Sequence, residues 1–171
     1  MYVKPFSYEM PENKRTSKYT PVVVGLGPAG LFAALTLARA GLKPLVLERG
    51  RDVDSRTKDV NTFFTNRILD ETSNVQFGEG GAGTFSDGKL NTGVNNPRIG
   101  WVLEQFVKAG AREEILYDAK PHVGTDVLLT VVQNLRKEII RLGGTVRFNT
   151  CVRDLRHENG AITAVVTDSG E

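Results

Sequence analysis

The stretch that decides the fold is Val22-Val23-Val24-Gly25-Leu26-Gly27-Pro28-Ala29-Gly30, an apolar triplet followed by three spaced glycines. A short β-branched run of this kind is typical of a buried parallel strand. The alanine- and leucine-rich segment from Leu31 to Ala40 predicts a helix that ends at Gly41. Leu45-Val46-Leu47-Glu48 then predicts a second buried strand. Strand, glycine turn, helix and strand in this order form a βαβ unit.

The glycine spacing between the strand and the helix predicts a binding site for the pyrophosphate of a dinucleotide. Gly25 allows a tight turn, Gly27 has no Cβ to keep the backbone away from an anion, and Gly30 lets the helix pack closely on the strand. The free N–H groups and the partial positive charge at the start of the helix favour the same anion. Pro28 and Ala29 lie in this first turn, where the missing N–H of a proline costs nothing.

Glu48 ends the second strand, 18 residues beyond Gly30. We expect a carboxylate at this place to accept hydrogen bonds from the ribose hydroxyls of an adenosine and to repel a 2′-phosphate. FAD or NAD is therefore favoured over NADP. Arg49 and Arg51 argue in the other direction, because a nearby arginine accommodates that phosphate.

A second glycine cluster spans residues 78–93, with six glycines in 16 positions. Such a segment predicts positive φ angles or a close approach of the backbone to a flat or anionic group. Thr84 and Ser86 add hydroxyl donors, and Lys89 adds a cation. Embedded apolar residues distinguish the segment from a flexible Gly/Ser linker.

The remaining sequence continues an alternation of helices and strands. Further helices are predicted near 56–68, from Asn96-Pro97 to Gly110, and from Thr125 or Asp126 to Gly143. Further strands are predicted at about 145–149, 151–156 and 161–167, the last two joined by the turn Asn159-Gly160. The fold class is therefore α/β: a Rossmann-like parallel sheet that starts with the glycine-motif βαβ unit, with an added β-hairpin near the C-terminus.

Two segments are expected along the chain. Residues 1–20 are polar and predict an N-terminal arm, and residues 21–171 predict one dinucleotide-binding domain. We expect this domain to be incomplete at the C-terminus, because Asp168-Ser169-Gly170-Glu171 opens a turn with no strand after it.

Composition excludes several classes of function. The 22 basic and 20 acidic residues of this 171-residue chain give a net charge of +2, so nothing indicates binding to nucleic acid. No apolar run approaches the roughly 20 residues of a membrane helix. The charged N-terminal region does not fit a secretory signal, and a cytoplasmic protein is expected. Cys151 is the single cysteine and cannot form an internal disulfide, and no set of metal ligands is present in the sequence.

Two parts of the sequence resemble known flavoproteins. Residues 21–50 resemble the FAD-binding start of the glutathione-reductase-like FAD/NAD(P)-binding superfamily, where a Pro-Ala pair often lies inside the glycine motif and a Glu-Arg pair ends the second strand. The segment from Asn74 to Thr92, together with Pro121-His122-Val123-Gly124-Thr125-Asp126, closely resembles the uncharacterised FAD-dependent dehydrogenases of bacteria. The similarity covers about residues 20–171. It implies that this chain is the N-terminal part of the FAD domain of an oxidoreductase. In other members of the superfamily the domain continues into Ala-Thr-Gly and Gly-Asp segments.

The resemblance also implies a binding site for FAD. The three glycines of the first motif would hold the pyrophosphate, Glu48 the adenosine ribose, and Arg49 would lie beside the adenosine. The backbone amides of Gly88 and Lys89 would approach the isoalloxazine, as in fumarate-reductase-type flavoproteins, and Val152 would contact the adenine through its backbone. The expected cofactor-binding residues are Gly25, Gly27, Pro28, Ala29, Gly30, Glu48, Arg49, Gly81, Gly83, Thr84, Ser86, Gly88, Lys89 and Val152.

The resemblance names no catalytic side chain and no substrate. NAD(P)H is a candidate electron donor for the intact protein. Three alternatives stay open at this point. The first is an NAD(H)-binding Rossmann domain of a dehydrogenase, which leaves residues 78–91 unexplained. The second is a non-catalytic nucleotide-binding module. The third is a folding fragment that lacks enzymatic activity of its own and whose unpaired strand edges favour self-association.

Overall fold

The central sheet consists of three short parallel strands. The structure is a computed structural model that describes residues 8, 16–90 and 92–170. Strands β1 (Val22–Val24), β2 (Leu45–Leu47) and β3 (Thr145–Arg147) lie side by side in that order. The register aligns Val23, Val46 and Val146 in one row across the sheet. The predicted α/β class with a parallel sheet is confirmed.

The described part of the chain contains four helices: α1 (Pro28–Arg39), α2 (Val53–Asn66), α3 (Arg98–Lys108) and α4 (Thr125–Arg141). Helix α2 begins three residues earlier than the sequence predicted. The reason is the side chain of Asp52, which accepts hydrogen bonds from the backbone N–H groups of Asp54 and Ser55 at 3.1 Å and so caps the helix. Two short 3₁₀ turns, Ala82–Phe85 and Glu113–Leu116, were not foreseen.

The hydrophobic core lies between one face of the sheet and helices α1 and α4. The row of valines points into this layer, and α1 and α4 pack against each other above it. Leu31 and Leu35 of α1 are buried there. An apolar stripe on α4 supplies the facing surface, with Leu128, Val131, Val132, Leu135 and Ile139.

An antiparallel hairpin follows the sheet. Its strands are β4 (Val152–Glu158) and β5 (Ala161–Thr167). Asn159 and Gly160 have φ angles of 50° and 78°, which is the two-residue turn whose twist matches a hairpin. The predicted hairpin near the C-terminus is therefore confirmed.

Most of the predicted N-terminal arm, residues 1–7 and 9–15, lies outside the described residues. Tyr8 packs edge-on against Trp101 of α3, with 6.3 Å between the ring centroids. Among the helices of the described chain, none combines the length and the apolar character needed to span a membrane.

The core account can be tested with a matched pair of substitutions. Leu35 has no exposed surface, whereas Ile162 on the hairpin is 67% exposed. Leu35→Ala should lower the free energy of unfolding by about 2–5 kcal/mol, because it removes buried methyl groups and leaves a cavity. Ile162→Ala should cost less than about 1 kcal/mol. Urea unfolding followed by circular dichroism measures both, and equal losses would contradict the packing of α1 described here.

Candidate functional site

The first glycine motif forms the turn between β1 and α1. Gly25 has a φ of +91° and donates its N–H to the carbonyl of Leu47 at 2.8 Å. A Cβ on Gly30 would lie 2.0 Å from the carbonyl oxygen of Gly25, so only glycine allows this packing of helix on strand. A Cβ on Gly27 would meet no atom within 4 Å. The turn at Gly25 and the close packing at Gly30 have the geometry that the sequence indicated, and the backbone at Gly27 is open.

The N-terminus of α1 presents backbone donors. Pro28 is the first helical residue and Gly27 is the N-cap, which has no side chain to accept a hydrogen bond from the first turn. The first N–H groups of an α-helix have no partner within the helix. The N–H groups of Ala29 and Gly30 are therefore placed to bind an anion.

The second glycine-rich segment lies directly against this turn. Gly80 donates its N–H to the carbonyl of Leu26 at 2.8 Å. A Cβ on Gly81 would lie 3.1 Å from Cδ of Pro28. A Cβ on Gly50 would lie 2.6 Å from Cα of Gly78, so the loop after β2 touches the same segment. The structure thus brings together two segments that are about 50 residues apart in the sequence.

An open groove of about 370 Å³ runs between the two segments. Six of the fourteen predicted residues line it: Gly25, Gly27, Glu48, Arg49, Gly81 and Val152. Gln76, Phe77, Thr150 and Cys151 also line it and were not predicted to do so.

A smaller cavity of about 180 Å³ lies between the 3₁₀ turn Ala82–Phe85 and helices α1 and α4. Another six predicted residues line this space: Pro28, Gly83, Thr84, Ser86, Gly88 and Lys89. The last two predicted residues line neither space. Ala29 is exposed on α1, and Gly30 packs against Gly25.

Glu48 has a structural role that the sequence did not indicate. Its side chain is buried, with 3% of its surface exposed. One carboxylate oxygen accepts the N–H of Leu26 at 2.6 Å and the other accepts the N–H of Gly50 at 2.8 Å. These bonds fix the glycine turn. Each oxygen of a carboxylate has two lone pairs, so each can accept one further hydrogen bond.

The two arginines that follow Glu48 differ in their surroundings. The guanidinium of Arg49 lies over the ring of Phe77, 4.1 Å from the centroid, at the rim of the groove. Arg51 donates to both carboxylate oxygens of Asp59, at 3.1 and 3.0 Å. Arg51 is therefore committed to an ion pair, and Arg49 is the arginine nearest to Glu48 that lines the groove.

The polar side chains of the second segment require a correction. The sequence predicted that Thr84 and Ser86 present hydroxyl donors to a ligand. Thr84 is instead fully buried and donates to the carbonyl of Glu79 at 3.2 Å, and Ser86 donates to the carbonyl of Gly83 at 2.7 Å. Lys89 is exposed and pairs with Asp87 at 2.6 Å. Tight turns point carbonyl groups inward, and these hydroxyls satisfy them.

Residues 121–125 join the second segment to the start of α4. Leu90 donates its N–H to the carbonyl of Pro121 at 2.9 Å, and Val123 donates to the carbonyl of Gly88 at 2.9 Å. The hydroxyl of Thr125 donates to the carbonyl of Ser86 at 2.7 Å. The imidazole of His122 is hydrogen-bonded to the carbonyl of Asp87. His122 thus helps to hold the loop.

Two buried charges behind the loop were missed by the sequence analysis. Arg56 and Glu79 have no exposed surface. The Glu79 carboxylate accepts the N–H of Val53 at 2.8 Å and forms an ion pair with Arg136 at 2.8 Å. Burial raises the pKa of Glu79, and these two partners oppose that rise. The sequence does not predict that either residue is buried, because Arg and Glu are nearly always exposed. Helix α2, which carries Arg56, also has no strong apolar stripe.

Comparisons with known proteins identify the family of this chain. The family model described as an FAD binding domain matches residues 18–171. An uncharacterized protein of Clostridium beijerinckii is 55% identical over 151 residues, which are 88% of this chain and 28% of that protein. Protein FixC of Azorhizobium caulinodans is 30% identical over 154 residues, which are 88% of this chain and 33% of that protein. The chain spans no more than a third of the length of these relatives.

A solved structure shows the same fold. The crystal structure of THI4 from Thermovibrio ammonificans superposes with a TM-score of 0.51 at 18% sequence identity. The superposition covers 87% of this chain and 47% of that one.

The two glycines of the turn should respond differently to alanine. Gly30→Ala places a methyl group against the Gly25 carbonyl and should lower the free energy of unfolding by about 2 kcal/mol or more. Gly27→Ala enters open space and should cost less than about 1 kcal/mol. Thermal and urea unfolding compare the two variants. Equal stability of both would show that α1 does not pack on β1 as described.

Proposed function

Because the chain belongs to the FAD binding domain family, we propose that it holds FAD in the groove between its two glycine-rich segments and serves an FAD-dependent oxidoreductase. FAD is the cofactor that the family indicates, and the protein is a flavoprotein. The observation that carries the proposal is the contact of the second segment with the glycine turn, Gly80 N–H to the Leu26 carbonyl, which leaves an open groove beside the N-terminus of α1.

The residues around the groove fit a dinucleotide. The space at Gly27 is open, so an anion can approach the backbone. The first turn of α1 supplies N–H donors and a partial positive charge for a diphosphate. The carboxylate of Glu48 stands at the end of β2 as a hydrogen-bond acceptor for ribose hydroxyls. The open backbone at Gly27, which an anion can approach, and the acceptor for a sugar thus lie along one groove next to the first turn of α1.

The groove favours an adenosine without a 2′-phosphate. The negative charge of Glu48 would repel such a phosphate, and Arg51, which could have offset it, is bound to Asp59. We assign the adenosine to the end of the groove formed by Arg49 and the backbone at Val152, because both line it beside Glu48. This arrangement supports FAD and argues against NADP in this groove.

The other end of the site is assigned to the loop between Gly83 and Lys89. Bound FAD supplies hydride and electron transfer through its ring system. The task of the chain is to hold that ring in place. Ser86, His122 and Thr125 fix the loop through side-chain hydrogen bonds to the backbone carbonyls of Gly83, Asp87 and Ser86, respectively. We assign the backbone amides of Gly88 and Lys89 to the ring. Within the loop these amides donate to Ser86 Oγ at 3.2 Å and to Asp87 Oδ1 at 3.3 Å.

In the proposed reaction NAD(P)H would be oxidised by transferring a hydride to the flavin, and the reduced flavin would pass the two electrons on to a second substrate, which is the electron acceptor. The longer relatives contain about two thirds of their residues outside the matched region, and we assign the binding of the second substrate to such additional residues. Mixing the purified flavoprotein with NADH or NADPH under anaerobic conditions tests this point. Bleaching of the flavin absorbance is expected, and flavin that neither nucleotide reduces would contradict NAD(P)H as donor.

FAD binding itself is tested with a pair of glycine variants. A valine at Gly27 fills the open space beside the turn, whereas Gly93 lies in an exposed loop, lines neither space and also has no neighbour within 4 Å. Gly27→Val should weaken FAD binding at least about tenfold, because the side chain prevents the approach of the diphosphate to the backbone. Gly93→Val should bind as the wild type does.

The measurement is a titration of FAD followed by flavin fluorescence, with circular dichroism to show that each variant is folded. Wild-type protein that binds no FAD would overturn the proposed function. Equal binding by a folded Gly27→Val variant would overturn the assignment of this groove.

A further inference from the structure

Arg56 lies behind the second glycine-rich segment and not in the groove. It is on the first turn of α2, whose start is capped by Asp52. Its side chain has no exposed surface, and it lines neither the groove nor the smaller cavity. Burying an arginine costs free energy unless its charge is paired and all of its N–H donors have acceptors. The hydrogen-bond partners of Arg56 therefore determine whether it is stable in this position.

The five N–H donors of Arg56 are directed at three backbone carbonyls. Nε and Nη2 donate to the carbonyl of Asn74, at 3.3 and 3.1 Å. Nη1 donates to the carbonyl of Glu79 at 2.5 Å. Nη1 and Nη2 both donate to the carbonyl of Gly81, each at 3.2 Å. The planar fork of a guanidinium suits this arrangement, and the single ammonium group of a lysine does not.

The surroundings of Arg56 are shaped to this side chain. A Cβ on Gly78 would lie 2.3 Å from Cδ of Arg56, so the segment packs on the arginine without room for a larger residue. The guanidinium lies 4.9 Å from the centroid of Phe85. Burial lowers the pKa of Arg56, while Glu48 and Glu79 raise it. An arginine stays protonated in proteins, so a positive charge is buried behind the loop.

Gly81 connects Arg56 to the groove. Its carbonyl accepts two hydrogen bonds from Arg56. A Cβ on Gly81 would lie 3.1 Å from Cδ of Pro28 and 3.4 Å from Cα of Gly27, so Gly81 packs directly on the glycine turn at the groove. We propose that Arg56 is a positioning residue for FAD: it holds the carbonyls of Glu79 and Gly81 inward and thereby sets the second glycine-rich segment against the first. This inference rests on the proposed function.

The proposal predicts two separate effects of Arg56. The first is on the affinity for FAD. A loop that has lost its hydrogen bonds to Arg56 must become ordered when FAD binds, and this ordering costs binding free energy. The second is on the reduction potential of bound FAD. A buried positive charge favours the more negative, reduced form of the cofactor, so its removal should lower the potential. Simple support of the core would move neither property.

The experiment compares Arg56→Met, Arg56→Lys and Arg56→Gln with the wild type. Arg141→Met is the matched control, because Arg141 is an exposed residue of α4 that pairs with Glu138. FAD affinity is measured by fluorescence titration, and the potential of bound FAD by equilibration with a reference dye. Circular dichroism and urea unfolding of the FAD-free protein report the fold.

Arg56→Met should weaken FAD binding at least about tenfold and shift the potential to a more negative value. Arg56→Lys should bind FAD weakly as well, with a potential close to that of the wild type, because the charge remains and the fork is lost. Arg56→Gln should show the lower potential. Arg141→Met should match the wild type in both measurements.

Folded Arg56 variants that bind FAD within about threefold of the wild type, at an unchanged potential, would overturn the proposal. If Arg56→Met does not fold, Arg56→Lys and Arg56→Gln decide the question by the same two readouts. A wild-type protein that binds no FAD would instead overturn the proposed function, which distinguishes that failure from a failure of this inference.

Discussion

The backbone of Leu26 is the point on which the whole arrangement depends. Its N–H is accepted by the carboxylate of Glu48 at 2.6 Å, and its carbonyl accepts the N–H of Gly80 at 2.8 Å. One buried residue thus joins the glycine turn, the end of β2 and the second glycine-rich segment. A hydrogen bond to a charged partner contributes about 1.5–3 kcal/mol, and a buried group left without one costs a similar amount. These bonds hold the glycine turn, the end of β2 and the second glycine-rich segment in fixed positions, and those positions give the groove its shape.

The fold was largely predictable from local patterns. Three local patterns each predict one element: the β-branched triplet predicts β1, the three spaced glycines predict the turn before α1, and the apolar stripe predicts α4. Residues that are close in the sequence are sufficient to predict each of these elements. Asn159-Gly160 specified the hairpin, because both residues take positive φ angles readily. The sequence predicted the start of α2 too late, because the N-cap Asp52 is followed by a polar helix in which apolar residues show only a weak helical periodicity.

The candidate site was predictable only in part. The residues of the first motif follow one another within a single βαβ unit, so the local sequence pattern predicted where they lie. The inward-facing hydroxyl of Thr84 and the buried Arg56 depend on carbonyls brought close by tertiary packing, and no spacing rule encodes such contacts. The glycines of the second segment illustrate the same limit. Gly78 and Gly88 have the positive φ angles that the sequence predicted for this segment, 105° and 76°. The atoms that approach them most closely belong to Arg56 and Gly124, which the sequence did not indicate.

The most direct test of the account is hydrogen exchange of backbone amides with and without FAD. The account predicts that FAD slows exchange in both glycine-rich segments at once, residues 25–31 and 78–89, while the β4–β5 turn at Asn159-Gly160 is unaffected. Slower exchange in the first segment alone would contradict the claim that the two segments form one FAD site.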